Sequence, residues 1–148
     1  MDDSSRFIDN NDGSILDNKT GLLWTKEDSW QTDAKWVSWD EANEQGKHLC
    51  YLKFCGYQDW RLPTTAEALT LYDPEAVNTN KYGKEMHLPS IFPAGGLSTI
   101  WLVEFTGNDG SILDFANGEV RTLYMSKSGR MATRLVRKDH NNSDDSSD

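Results

Sequence analysis

The sequence predicts an α+β fold, ordered as a hairpin, two helices, a long irregular loop region and a β-meander. Three observations carry this expectation. Ser38 with Glu41, and Thr64 with Glu67, each place a hydroxyl three residues before a carboxylate, a spacing that satisfies the orphan amides opening a helix. The heptapeptide NDGSILD occurs at Asn11–Asp17 and again at Asn108–Asp114, each time a turn followed by an extended stretch. From Asp73 to Thr99 the chain is rich in Asn, Pro and Gly, which marks a loop of functional size or a poorly ordered one.

The elements follow in order. In each copy of the heptapeptide Asn-Asp-Gly supplies a turn and Ile-Leu a strand, and a second turn, Lys19–Gly21 or Ala116–Gly118, returns the chain. What surrounds the two copies differs, so they read as two similar hairpins and not as a long repeat. The first helix is expected from Ser38 to about Leu52, with Trp39, Ala42, Leu49, Cys50 and Leu52 broadly on one side. The second follows Pro63 with Thr64 as its cap, runs through Leu69 and Tyr72, and ends before Pro74. Strands are then expected at Ile100–Phe105, Ser111–Phe115, Glu119–Met125 and Met131–Val136, forming a meander.

A chain of 148 residues suits one domain, placed at residues 6–138, with residues 1–5 and the acidic tail 139–148 read as disordered. Six Trp, five Tyr and five Phe supply the large apolar surfaces of a core, and some are free to line a groove. The opening MDDSSRF has no basic segment followed by an apolar one, and no apolar run approaches the length of a membrane span. As written it is no signal peptide, and membrane insertion is not expected. An extracytoplasmic location, periplasmic or secreted, is expected if Met1 replaces a removed signal peptide.

The net charge of −9 argues against a general nucleic-acid partner. The charge is unevenly spread: between Gly118 and Lys138, Arg121, Lys127, Arg130, Arg134, Arg137 and Lys138 face the single acid Glu119. On one strand Arg130, Arg134 and Lys138 would share a face and Arg137 would point the other way. Arg121, Arg130, Arg134 and Lys138 are therefore the candidate ligand-binding residues, suited to sulfate, phosphate or carboxylate. Neutralisation of neighbouring acids explains the same residues equally well.

Asp9, Asn11, Asp12 and Asp17 bring hard oxygens close together around Gly13, the ligand type calcium prefers, and Asn108, Asp109 and Asp114 echo them. The spacing is not that of an EF-hand, and a tight turn uses the same residues, so a calcium site stands beside a plain turn. His48, His87 and His140 are scattered and make no ligand set. Asp59, Trp60, Arg61, Pro63 and Glu67 read as a structural motif, a charge pair or capping network that pins the loop before the helix with Trp60 buried. Cys50 and Cys55 are the only cysteines, either bridged or free.

Taken together, Arg6-Phe7 with Asn11-Asp12-Gly13, Asp17–Trp24, Trp39–Ala42 with Cys50, Gly56-Tyr57 with Asp59–Pro63, Ser98-Thr99 with Trp101, and Arg134–Arg137 resemble the C-terminal domain of the bacterial collagen-like adhesin. This Lcl C-terminal domain family was long a domain of unknown function. The run Arg61-Leu62-Pro63-Thr64 with a following glutamate is also similar to the formylglycine-generating enzymes and the wider C-type-lectin-like group, which implies a C-type-lectin-like α+β fold with two helices flanking twisted antiparallel sheets and a long irregular loop region. The enzymatic activity of that group implies a late pair of cysteines, and none follows Cys55. Relatives commonly close with Arg-Cys-Val-Arg where this chain has Arg134-Leu135-Val136-Arg137, so the resemblance leaves Cys50–Cys55 as the only intrachain disulfide that could form, with free thiols the alternative. The named adhesin binds sulfated glycosaminoglycans and is trimeric. The resemblance thus implies an adhesin-like, non-enzymatic binding module for a glycan, anionic or sulfated, or for a protein partner. A structural module that docks on a partner chain or forms a homo-oligomer is the alternative, and an enzyme with an unrecognised site the second alternative. No cofactor is expected beyond the calcium ion already weighed.

Overall fold

A computed structural model describes residues 6–139. The chain opens with three antiparallel strands, β1 (Phe7–Asp9), β2 (Ser14–Asp17) and β3 (Leu22–Thr25). Helices α1 (Ser29–Asp33), α2 (Trp39–Leu52) and α3 (Thr65–Leu69) follow, with a 3-10 turn at Phe54–Gly56 between the last two. A two-strand hairpin, β4 (Asn78–Thr79) with β5 (Glu85–Met86), interrupts the loop region. The chain closes with β6 (Thr99–Thr106), β7 (Asp109–Asp114), β8 (Glu119–Tyr124), β9 (Met131–Ala132) and β10 (Val136–Lys138).

The strands form two four-stranded sheets in the orders β1-β2-β3-β10 and β8-β7-β6-β9. The α+β class expected from the sequence is the class observed. Two details differ from the expected meander. Pairing of β9 with β6 is parallel, and the stretch expected as one strand, Met131–Val136, is split between the two sheets. Three residues, Thr133, Arg134 and Leu135, carry the chain across.

Both heptapeptides end in the middle strand of a three-strand unit, and their closing turns match. Asp17 accepts the Gly21 amide through its carbonyl at 2.8 Å and the Lys19 amide through its side chain at 3.0 Å. Asp114 does the same for Gly118 at 2.7 Å and Ala116 at 2.9 Å. Each turn closes through a left-handed glycine, φ 76° at Gly21 and 77° at Gly118, a conformation that side chains resist. The opening turns do not match. In the second copy Gly107 and Asn108 make the turn, while Asp109 and Gly110 already belong to β7.

Capping boxes set the helix starts as the sequence predicts: Ser38 with Glu41 on α2 and Thr64 with Glu67 on α3. Strict α-helix in α3 ends at Leu69, short of the expected Tyr72. The third helix, α1, is not among the expected elements. It carries the same device in the form Asp28 with Gln31.

The sheet holding β6 and β7 divides the core, because alternate residues face opposite sides. Ile100, Leu102 and Leu113 pack with Trp24, Phe92 and Phe115, while Trp101 and Ile112 pack with Trp60, Leu62 and Leu135. Burying each such side chain contributes about 1.5–3 kcal/mol. The loop region is ordered by the same packing, since Met86, Leu88, Phe92 and Leu97 are all buried. At the end of β10, Asp139 is buried and donates its amide to Gly21, so the folded chain reaches one residue into the expected tail. The expectations for residues 1–5 and 140–148 lie outside the described residues.

Candidate functional site

The N-cap of α1 reaches into the loop region. Asp28 accepts the Gln31 amide at 2.9 Å with one carboxylate oxygen and the Leu97 amide at 2.8 Å with the other. Gln31 returns a bond to the Asp28 amide at 3.0 Å and donates to the carbonyls of Pro93 and Ala94, both at 3.1 Å. Gly96 permits this approach: a Cβ there would lie 2.6 Å from the Asp28 carboxylate.

The turn after β4 is fixed to the same segment. The Asn80 side chain accepts the amides of Tyr82 and Lys84, at 2.8 and 3.0 Å, and donates to Ser98 at 2.8 Å. Lys81 donates its amide to the Gly96 carbonyl at 2.7 Å. With α1 and this turn stapled to one segment, the Lys81 ammonium sits 4.6 Å from the Trp30 ring centre and 5.3 Å from that of Tyr82. The Arg130 guanidinium lies 5.1 Å from the Tyr82 ring centre. Arg130 holds a left-handed backbone, φ 63°, in the loop before β9.

Trp30, Lys81, Tyr82 and Arg130 form a surface ridge of alternating rings and cations. Lys81, Tyr82 and Arg130 are exposed and Trp30 is half-buried. Cation and ring attract each other by about 0.5–1 kcal/mol at such sites. The ridge offers apolar faces for stacking and cations for sulfate or carboxylate.

Sequence reasoning named one of these four residues. Of the other candidates, Arg121 is exposed and paired with Glu119 at 3.1 Å and Asp114 at 3.5 Å, and Lys138 is exposed at the end of β10. The expectation that Arg130, Arg134 and Lys138 share a strand face is corrected. Strand parity fails because the chain changes sheets between Ala132 and Val136. Arg134 is 2 % exposed, donates to the carbonyls of Thr25 and Lys26, and lies 4.9 Å from the Phe92 ring centre. Burial pushes its guanidinium below the usual value, against the pull of Asp28 and Glu27. Arg134 thus braces the backbone at Thr25 and Lys26 from inside the fold and has almost no surface to present.

Three of the four residues expected to hold calcium have side-chain partners within the fold. Asp9 pairs with Lys26 at 2.7 Å, and that bond, aided by the Asn11 amide, holds its carboxyl below the usual range. Asp12 accepts the amide and hydroxyl of Ser14, closing a turn. Asp17 is buried and takes both oxygens to Arg6 at 2.8 Å. Asn11 has a left-handed backbone. Among the described residues, no group of three or more His, Cys, Asp or Glu side chains is arranged to hold a metal ion.

The structural motif has different partners from an Asp59 and Arg61 pair. Arg61 grips both oxygens of Glu67, at 2.7 and 2.8 Å, and Asp59 pairs with the buried Arg137, which lies 3.6 Å from the Tyr57 ring centre. Trp60 is buried and donates to the Phe54 carbonyl, while the Pro63 carbonyl receives the Val103 amide. Cys50 and Cys55 are both free thiols.

These features define an α+β domain whose exposed chemistry is a ridge of cations and rings resting on a loop region folded into the core. The model of the Lcl C-terminal domain matches residues 13–137, and the chain belongs to that family. A search of curated proteins finds no match to it. Among the described residues, no helix is long and apolar enough to cross a membrane.

Proposed function

We propose that this domain is a non-enzymatic, adhesin-like binding module that takes an anionic glycan on the ridge of Trp30, Lys81, Tyr82 and Arg130. The observation that carries the reading is the placement of Lys81 between two rings, with Arg130 beside the second. Sugar rings stack on aromatic faces, and sulfate or carboxylate substituents answer the cations. Because the whole chain is acidic, with a net charge of −9, attraction depends on this local field and weakens as salt screens it. Family membership and the two-sheet arrangement also support the C-type-lectin-like grouping that the resemblance implies.

The test is titration with heparin and with desulfated heparin at low and moderate salt, followed by tryptophan fluorescence. Saturable binding that needs sulfate and weakens with salt supports the reading; equal response to both polymers opposes it.

A second reading, assembly onto a partner chain or a second copy, is favoured by β8. It is an outer strand of its sheet, and Val120 and Tyr124 on it are 40 % and 51 % exposed. Light scattering across a concentration series distinguishes this from a monomeric module.

A further inference from the structure

On the other side of α1 lies a cleft of about 380 Å³ that the ridge does not use. One wall is α2, where Gln45, His48, Leu49 and Leu52 recur at the spacing of a single helix face. Ala42 and Gly46 are buried and Leu49 packs against the core cluster that holds Ala42, so the cleft runs along the margin of the packed side of α2, where Gln45, His48 and exposed Leu52 border it. Phe54 and Leu135 extend the apolar wall. The opposite wall is the connection from β3 through α1, and it brings Glu27 and Asp33.

The charges nearest the cleft do not cancel. Lys26 is held by Asp9, and buried Arg134 is answered first by Asp28 and then by Glu27. Glu27 and Asp33 are exposed and form no ion pair with another described residue. Two acidic residues therefore line the cleft together with its apolar wall. A second observation marks the same place. Thr133 lines the cleft and is 2 % exposed, yet its hydroxyl has no hydrogen-bond partner among the described residues, although its backbone is bonded both ways to Ser29 at 3.0 Å. Buried hydroxyls are ordinarily satisfied, so this one marks an unfilled hydrogen-bonding position just behind the cleft wall.

We infer that this cleft binds a compact ligand with an apolar body and an ammonium or guanidinium head. The body rests on Leu49, Leu52 and Phe54, and the head meets Glu27 and Asp33. A neutral or anionic ligand of the same shape would gain the apolar contact and forgo, or oppose, the carboxylates. The preference is opposite in sign to that of the ridge, so the two sites take different ligands and fail independently.

The probe set is phenethylamine, phenethyl alcohol and 3-phenylpropionate, titrated into the full chain and followed by amide chemical shifts. Phenethylamine should bind saturably, perturb residues of the α2 and α1 walls, and bind about tenfold more tightly than the propionate, equivalent to about 1.4 kcal/mol. The double variant Glu27→Gln, Asp33→Asn should lose most of that discrimination with at most a small fall in unfolding midpoint, because Asp28, the larger of the two charges that answer Arg134, is kept. Leu52→Ala should weaken the amine and the alcohol alike. The same chemistry is carried by a free amine and by a basic side chain in a peptide, so acetyl-Phe-Lys-amide forms a second arm. Tighter binding of the peptide assigns the cleft to a partner's chain; tighter binding of the amine assigns it to a small molecule. Absence of binding by any of the probes, or discrimination that survives the double variant, overturns the inference. Heparin binding is untouched by either result.

Discussion

The Lys81 ammonium rests 4.6 Å from the centre of the Trp30 ring. Neither residue reaches that position alone. The helix carrying Trp30 and the turn carrying Lys81 are both hydrogen-bonded to the segment from Pro93 to Leu97, and Gly96 is the residue that lets the two supports meet there.

Gly96→Ala is therefore expected to act at a distance. Its Cβ would press on the Asp28 carboxylate, and overpacking of this kind costs about 1–3 kcal/mol. The predicted result is a lower unfolding midpoint together with weaker heparin binding, although Gly96 is not part of the ridge. Urea unfolding and a heparin titration on the same sample measure both.

Arg134→Ala should be the most damaging change among the basic residues of the last segment. It would strip a donor from the carbonyls of Thr25 and Lys26 and leave a cavity beside Phe92, a loss of about 3 kcal/mol. Arg121→Ala, at an exposed pair, should change stability by about 0.5 kcal/mol or less. Denaturant midpoints at constant m-value separate the two.

That contrast shows where the sequence was legible. Both Ser/Thr-x-x-Glu helix starts, the matched turns at Gly21 and Gly118, and the burial of Trp60 follow from local rules, and local rules were enough. The start of α1 is equally local: Asp28 with Gln31 is a capping box in its acid and amide form, outside the Ser/Thr-x-x-Glu pattern that marks the other two helices. Arg134 was different. Its burial depends on the chain changing sheets after Ala132, an event with no signature in that stretch, so a strand-parity argument gave the wrong face. The ridge was legible only in fragments, because Trp30, Lys81 and Arg130 come from three separate segments joined by tertiary hydrogen bonds.

The Glu67 carboxyl gives the fold a pH dependence. Burial pushes it up, but the bond from Arg61, the Thr64 amide and the charge of Arg61 outweigh that and hold it below the usual glutamate value. A lowered folded value means stability that is fully present above the unfolded value of about 4.3 and lost as pH falls through the folded one. Glu67→Gln is predicted to be less stable than the parent at neutral pH, with the gap closing below about pH 4.3. Thermal unfolding from pH 3 to 7 checks the sign, and a gap that widens on acidification would contradict it.

Cys55 should be a slow thiol in the native state. Burial, followed by the charge of Asp12, pushes its pKa up to about 11, so little thiolate exists at neutral pH. Reaction of Cys55 with a disulfide reagent at pH 8 is expected to be at least about tenfold slower than in urea-unfolded protein. A variant lacking Cys50 isolates the Cys55 signal.

The central claim is that the ridge is the glycan-binding surface, and calorimetric titration of a heparin oligosaccharide into the double variant Lys81→Ala, Arg130→Asn tests it most directly. Asn tolerates the left-handed backbone at position 130, so the fold is kept while both cations go. The account predicts affinity reduced by about tenfold or more, a shallower salt dependence, and an unchanged unfolding midpoint. Undiminished affinity in this variant, or a loss that appears only when Arg121 and Lys138 are replaced, would contradict it.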